Sequence, residues 1–289
     1  MKAKTSLITI AILLGITSLA CGITLTMPED AIDVGELRTE DVFVSAPAQG
    51  ETTSVLVEFG AGELILQPGA ADGLIVGTAT YNVDGLEPVV DTSSGQVSIK
   101  QEPYEFKLGG LPNVKDVENK WELSISNAPV ELEIRAGAFD GQFELGSLAI
   151  ENLEVFTGAS SVEMSFSTPN LTNMSQFHYT TGASKVDLIG LSNANFSLMK
   201  FEGGAGEYTF DFSGTLQRDA TVEIDAALSN LKVIIPEGIP TTLKIEGSLS
   251  NVNARGQWAG GASTYSLAGN GPTLTIEIKL GAGNLELSN

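Results

Sequence analysis

The feature that most constrains this chain is a repeat in which a small residue separates two short alternating segments. Three stretches show it directly, LEVFTGASSVEM, FHYTTGASKVDL and MKFEGGAGEYTF, whose central glycines are Gly158, Gly182 and Gly204. In each stretch apolar residues stand five and three positions before this glycine and four and six positions after it. Alternation with a period of two predicts two short strands, each with one buried face, joined by a tight corner that suits glycine.

The same template extends along most of the chain. The small residues at its centre, called anchors below, are Gly60, Gly137, Gly158, Gly182, Gly204, Ala227, Ser248 and Gly281, of which Gly137 fits only in its first half. From Gly137 to Ser248 the anchors follow one another at steps of 21 to 24 residues. Such an even step is typical of a solenoid in which successive coils share one core.

We therefore predict an all-β fold for residues 51–289, a right-handed parallel β-solenoid (β-helix) with coils of 21–24 residues. A β-sandwich of hairpins is the alternative, because a short Gly-Ala-Ser link also closes a hairpin. Residues 104–120 are predicted to form an irregular loop, and residues 255–271 an inserted hairpin before the last coil. If the coils stack in the order of the sequence, the coil around Gly281 is outermost. It would then expose the apolar face of Leu285 and Leu287 and promote self-association.

The first twenty residues have the features of a signal peptide rather than of the fold. Lys2 and Lys4 precede an uncharged apolar run over residues 6–20, which is shorter than the ~20 residues that a membrane helix needs. The run ends at Cys21, the only cysteine, and Ser-Leu-Ala-Cys resembles a bacterial lipobox, although a larger aliphatic residue is usual at Ser18. An ordinary signal peptide or an uncleaved anchor are the alternatives.

We predict lipidation of Cys21, with several acyl chains giving stable anchoring, followed by an acidic tether over residues 21–50. The protein would then be exported and anchored to the outer side of a bacterial membrane. Loss of Lys2 and Lys4 reduces the 15 basic residues to 13 against 36 acidic ones, a net charge of −23. This charge argues against nucleic acid and against anionic lipid headgroups as partners.

Several segments, taken in order, resemble a known family. They are VGELRTEDVFV, VLVEFGAGELILQPGA, a YNV segment followed by EPVV, KWELSISNAPVELEIRAGA and the closing LGAGNLELSN. This order resembles the toast-rack family, which is related to the bacterial LiaF-like and adhesin-like β-solenoid domains, over residues 35–289. The resemblance implies a β-solenoid of the cell envelope and supplies no catalytic residues. It also implies a link of the wider group to envelope stress.

The candidate chemical groups are few. Glu163 and Asp187 hold the same template position, so they are predicted to stack ~5 Å apart on neighbouring coils, with Lys185 close to Asp187. They form either a weak divalent-cation or glycan-cleaving carboxylate pair or a solvated acidic stripe. Trp258 is a weak candidate for stacking on a sugar, and the sole histidine, His178, is predicted to point outward.

Asn173 and Asn195 both stand nine positions before an anchor, which predicts a ladder of stacked side-chain amides. No cofactor and no confirmed metal site are predicted. We expect a non-enzymatic cell-envelope lipoprotein that acts as a structural or adhesin-like interaction module, with an envelope protein or glycan as partner. The alternatives are a glycan-binding or glycan-cleaving solenoid that uses the acidic outer face, and a partner in envelope-stress sensing.

Overall fold

A computed structural model describes residues 34–48, 50–93, 95–101, 116–247 and 251–289. The predicted signal peptide, Cys21, most of the predicted loop and the anchor Ser248 lie outside the described residues. The described part is all-β, as predicted, with sixteen strands in one mixed sheet and a short 3₁₀ turn at Leu191–Ala194. Apart from Asp116, the described residues belong to one compact unit.

The strands are β1 (Arg38–Val44), β2 (Thr53–Pro68), β3 (Ile75–Tyr81), β4 (Pro88–Ser93), β5 (Gln96–Gln101), β6 (Asn119–Ile125), β7 (Pro129–Glu144), β8 (Ala149–Ser165), β9 (Met174–Ile189), β10 (Phe196–Asp211), β11 (Ala220–Ile234), β12 (Thr241–Gly247), β13 (Asn251–Arg255), β14 (Ala259–Gly261), β15 (Thr264–Leu267) and β16 (Leu274–Ser288).

Seven long strands, called rungs below, form the centre of the sheet, and each contains one anchor. They are adjacent in the order β2-β7-β8-β9-β10-β11-β16, and every neighbouring pair is parallel. Each rung continues through its anchor, as β8 does at Gly158. The anchors therefore do not close hairpins, which the sandwich alternative required.

Each rung changes direction at its anchor, so its two halves face each other across the core. In β8 the buried residues include Leu153, Val155 and Thr157 before the anchor and Val162 and Met164 after it, an alternation that shifts phase at Gly158. In β10 the rings on the two sides of the anchor are in contact across the core. We call the half before the anchor the first limb and the half after it the second limb.

The anchors are small because a neighbouring backbone approaches them closely. A Cβ atom at Gly182 would lie 2.8 Å from the carbonyl oxygen of Gly158, and one at Gly204 would lie 2.5 Å from that of Gly182. None of these three glycines has a left-handed φ angle. Packing of the corner backbones, rather than a special conformation, therefore explains the anchor glycines.

Asparagine side chains bridge the loops between rungs, at one of the two predicted positions and at others. Asn195 donates a hydrogen bond from Nδ2 to the carbonyl oxygen of Thr172 at 2.8 Å. Asn170 is buried and hydrogen-bonds both the N–H and the carbonyl oxygen of Ile150, at 2.9 and 2.8 Å. Asn195 is buried and Asn173 is exposed, and Arg218 donates a hydrogen bond to each of them. The predicted pair is thus joined by a guanidinium and not by a direct amide ladder.

A rung made of two separate strands, called a split rung below, covers each end of the central array. At one end β5 pairs with the first limb of β2 and β6 with its second limb, both in parallel. At the other end β12 and β13 pair with β16 in the same way. Antiparallel strands then extend the split rungs, β4 beside β5, β3 and β1 beside β6, and the β14–β15 hairpin beside β12. This makes the sheet mixed and not wholly parallel.

The order of the last rungs differs from the order of the sequence. The even spacing predicted that the coil around Gly281 would be outermost, but β16 lies between β11 and the split rung of β12 and β13. Leu285 and Leu287 are therefore buried, and the predicted uncapped apolar face is wrong. An unbroken apolar strand gains more from pairing along both edges, while the polar β13 tolerates the outer position.

Candidate functional site

The two predicted carboxylates lie on the outward side of neighbouring second limbs. Glu163 of β8 is opposite Asp187 of β9 in the register. The Nζ atom of Lys185 is 3.2 Å from Oδ2 of Asp187, while Glu163 is exposed to solvent. Among the described residues no group of three or more His, Cys, Asp or Glu side chains is arranged to hold a metal ion.

His178 and Trp258 both lie partly covered by neighbouring aromatic rings. The ring of His178 is half-buried on the outer face of β9, 5.8 Å from the ring of Phe156, and its Nε2 is 3.2 Å from Oγ1 of Thr180. Trp258 is half-buried edge-on to Tyr265, with ring centroids 6.3 Å apart. The indole N–H of Trp258 is buried and has no hydrogen-bond partner in the described part of the chain.

A concave region that sequence reasoning missed lies on the first limbs near the start of the chain. It consists of two hollows, of about 420 Å³ and about 470 Å³, that follow one another along the first limbs of β2, β7 and β8 and share no lining residue. The β4–β5 hairpin borders the first hollow, and the second lies closer to the corner of the rungs. We call the two hollows together the first-limb trough.

The first hollow of the trough is lined mainly by polar and acidic side chains. They are Ser54, Asp91, Ser93, Gln96, Ser98, Lys100, Glu131, Glu133, Asn152 and Glu154. Four of these are acids and one is a base, so the hollow carries an excess of negative charge.

Hydrogen bonds hold the three glutamates of the trough in place. Ser54 Oγ donates to Glu131 at 3.0 Å, and Asn152 Nδ2 donates to Glu154 at 3.1 Å. Arg135 Nε donates to Glu133 at 2.5 Å, and this bond raises the pKa of Arg135. A carboxylate has about four acceptor sites, so each glutamate can accept further hydrogen bonds from a ligand.

The second hollow contains an aromatic ring at an outward position. Phe156 stands two positions before its anchor, and the residues beside it on the neighbouring rungs are Arg135 and Thr180. The guanidinium carbon of Arg135 is 5.8 Å from the centre of the Phe156 ring. On the other side lie the short side chain of Thr180 and the edge-on ring of His178. Phe156 is the only aromatic residue at this template position in the seven rungs; the other residues there are Glu58, Arg135, Thr180, Glu202, Asp225 and Lys279.

The template contains part of the signal for this trough. It assigns Glu133, Glu154 and Phe156 to outward positions on adjacent coils, and a phenylalanine in an otherwise polar column is unusual there. The template does not predict the position of the β4–β5 hairpin, since this segment falls in the long interval between Gly60 and Gly137.

Residues 33–175 match the family model described as the N-terminal domain of toast_rack, DUF2154. Through this region the chain belongs to the toast-rack family. The toast-rack region contains strands β1 to β8. These strands supply all the lining residues of the first-limb trough except Thr180, which belongs to β9. Among curated protein sequences, none matches this toast-rack protein.

Solved structures provide a comparison of the fold. A Clostridium sporogenes protein, provisionally named a cell adhesion protein, is 17% identical with a TM-score of 0.51, covering 88% of this chain and 99% of that one. A Parabacteroides merdae protein, provisionally named an adhesin, is 10% identical with a TM-score of 0.37 and coverages of 89% and 98%. A Parabacteroides distasonis protein, provisionally named a lipid-binding protein, is 12% identical with a TM-score of 0.39 and coverages of 88% and 99%.

The Clostridium sporogenes structure shows that this toast-rack protein shares a known fold over most of its length, whereas the other two are too distant to support an argument. In the described part of the chain, no helix has the length and apolar character needed to cross a membrane.

Proposed function

We propose that this toast-rack protein is a non-enzymatic lipoprotein of the bacterial cell envelope that acts as an adhesin-like interaction module. The observation that carries the proposal is the register of the seven rungs. Equivalent outward residues of successive rungs form continuous rows on a sheet whose interior is packed with apolar side chains. Stacked repeats of this kind create extended surfaces suited to binding.

One structural neighbour supports a place in the envelope. The Clostridium sporogenes protein of similar fold carries a cell-adhesion name. We carry this role over as a hypothesis, because the similarity itself concerns the fold. An envelope protein or a glycan would be the partner.

The anchor in this proposal is a lipid on Cys21. The apolar segment before Cys21 and its lipobox-like end support this assignment. Thirteen residue steps separate Cys21 from Val34, the first described residue, and they reach at most about 45 Å when fully extended. The sheet of rungs would then remain close to the outer side of the membrane.

We also propose that the rungs wind as a right-handed coil. A connection between parallel strands of one sheet is right-handed in about 98% of cases, because of the intrinsic twist of the strands. The direct connections between β7 and β8, β8 and β9, β9 and β10, and β10 and β11 each join two neighbouring parallel rungs and are of this kind.

The test of the anchor uses the full chain expressed in a bacterium. We expect membrane-purified protein to begin at Cys21 and to be heavier by a diacylglyceryl group and an acyl chain in an intact-mass measurement. The Cys21→Ser variant should lose this added mass and leave the detergent-extracted fraction. A mature chain that is cleaved elsewhere, or that carries an unmodified Cys21, would contradict the anchor.

A further inference from the structure

We propose that the first-limb trough binds an extended chain of neutral or amino sugars. This inference rests on the proposed function as an interaction module and specifies the class of partner. It places the site on the first limbs, rather than at the predicted pair of Glu163 and Asp187 on the second limbs.

The first argument concerns Phe156. Its ring stands on a solvent-facing position within the hollow, in contact with the guanidinium of Arg135 on one side. On the other side lie the short side chain of Thr180 and the ring of His178, which is edge-on to Phe156 at 5.8 Å. Phe156 is only half-buried between these neighbours, so a flat ligand can cover the outward part of its ring. The face of an aromatic ring is apolar, and burying it removes apolar surface from water. The C–H face of a sugar ring provides such a cover while its hydroxyl groups remain free for hydrogen bonds.

The second argument concerns the groups next to Phe156. Glu131, Glu133 and Glu154 are oriented by Ser54, Arg135 and Asn152. Their remaining acceptor sites suit hydroxyl and ammonium donors, and hydrogen bonds to a charged acceptor are the stronger ones. A site with a few oriented polar groups and an aromatic surface is typical of small-molecule recognition.

The third argument concerns length. From Asn152 to Phe156 the trough follows strand β8 for four residues, which corresponds to about 13 Å at the rise of a strand. This is longer than one sugar ring. The polar groups of the first hollow and the aromatic ring of the second therefore fit successive units of one chain.

The fourth argument concerns charge. Across the two hollows five acids outnumber the two bases, Lys100 and Arg135, and the whole chain has a net charge of −21. The acids are Glu58, Asp91, Glu131, Glu133 and Glu154. An anionic glycan would be repelled, whereas an amino sugar, which carries an ammonium group, would be attracted. A neutral glycan would bind through the aromatic and hydroxyl contacts alone.

The experiment measures binding of three oligosaccharides to the full chain by isothermal titration calorimetry. They are a neutral N-acetylglucosamine hexamer, the corresponding glucosamine hexamer, and an oligogalacturonate of the same length. We expect the first two to bind and the third not to bind. Phe156→Ala should weaken both interactions about tenfold, which is the size expected for loss of a buried aromatic contact. Glu154→Gln should weaken the glucosamine hexamer more than the neutral one.

Two matched controls come from the same protein. The double variant Glu163→Gln, Asp187→Asn removes carboxylates from the opposite limb, and Phe43→Ala removes another exposed aromatic ring. Both should bind the hexamers as the parent does. A circular dichroism melt of each variant checks that the fold is retained.

Three results would overturn the proposal. The first is that the parent binds neither hexamer, and the second is that a folded Phe156→Ala variant binds them unchanged. The third is that oligolysine binds as tightly as the glucosamine hexamer and that neither interaction depends on Phe156. None of them affects the mass measurement on Cys21, so the lipoprotein assignment can stand if the glycan site fails. Release of shorter oligosaccharides during the titration would instead contradict the non-enzymatic part of the proposed function.

Discussion

At the scale of single residues, the corner of the rungs gives the sharpest stability test. We predict that Gly204→Ala destabilises the fold by about 1–3 kcal/mol, because the new Cβ would lie 2.5 Å from a backbone oxygen of the neighbouring rung. Urea unfolding of the two proteins measures the difference. Ala227 holds the equivalent position one rung further, where a Cβ is already accommodated, so Ala227→Gly should cost only about 0.5–1 kcal/mol. Equal stability of Gly204→Ala and the parent would refute this account of the anchors.

Glu144 gives a residue-scale prediction on pH. Burial raises the pKa of its carboxyl, but hydrogen bonds from Ser165, Gly146 and Ser167 outweigh this, so the pKa lies below its usual value. A carboxyl with a depressed folded pKa stabilises the protein above its unfolded pKa of about 4.3 and loses this effect as the pH falls through the folded value.

Glu144→Gln should therefore lower the free energy of unfolding at pH 7 and flatten its decline between about pH 5 and pH 3. Denaturant unfolding at several pH values measures both effects. Glu163→Gln, a substitution at an exposed glutamate, is the control for removal of one charge. An acid profile of Glu144→Gln that matches the parent would refute this role.

Residue positions within the rungs could be predicted, while those in the loops could not. The template assigned Phe177 and Tyr179 to the core, where both are fully buried, and it set Glu163 beside Asp187. Of its two asparagines for contacts between loops, Asn195 reaches the carbonyl oxygen of Thr172, while Asn173 is held by Arg218. It missed Asn170, because the direction of a loop side chain depends on local turn geometry and has no period. Asn170 reaches Ile150 through such a turn.

At the scale of elements, the position of β16 can be tested with cysteine pairs. Asn230 of β11 is paired with Asn284 of β16, and their side chains share a hydrogen bond of 2.9 Å. In a Cys21→Ser background, Asn230→Cys with Asn284→Cys should form a disulfide on mild oxidation, since adjacent strands lie ~4.8 Å apart. Peptide mapping before and after reduction detects the bond.

The control pair is Asn230→Cys with Asn251→Cys. In the order of the sequence these positions would be neighbours, but β16 separates them here, so their Cα atoms would be about 10 Å apart. This is beyond the range of a disulfide. Efficient crosslinking of the control pair and not of the first pair would show that the rungs stack in sequence order.

The existence of the rungs follows from the sequence, whereas the order of the last ones does not. The segments around Ser248 and Gly281 both fit the template, so spacing alone cannot say which pairs with β11. Burial decides between them, because the inward positions of β16 are large apolar residues in both limbs while β13 reads Asn-Val-Asn-Ala-Arg. The trough could not be predicted for a different reason, because the β4–β5 hairpin that borders it lies outside the repeat.

At the scale of the whole molecule, the in-register stacking that builds the fold also places like charges side by side. Glu133 faces Glu154, Glu202 faces Asp225, and Glu223 faces Glu277 on adjacent rungs. Like charges that face each other across a sheet are destabilising. A surface that repels non-specific partners therefore comes with a cost in stability that depends on salt.

We predict that raising the salt concentration from about 10 mM to about 150 mM increases the melting temperature, because the screening length falls from about 30 Å to about 8 Å. An increase of about 2–4 °C corresponds to a gain of about 1 kcal/mol for a large domain. Glu202→Gln should reduce this increase, since it removes the repulsion with Asp225 and leaves Asp225 opposite Lys279. Glu246→Gln is the opposite control, because Oε1 of Glu246 lies 2.6 Å from Nζ of Lys244. This substitution removes an attraction that salt weakens, so it should not reduce the rise in melting temperature. If salt lowered the melting temperature of the parent, the rows of charge would be net attractive, and repulsion between rungs could not be what limits the stability of the array.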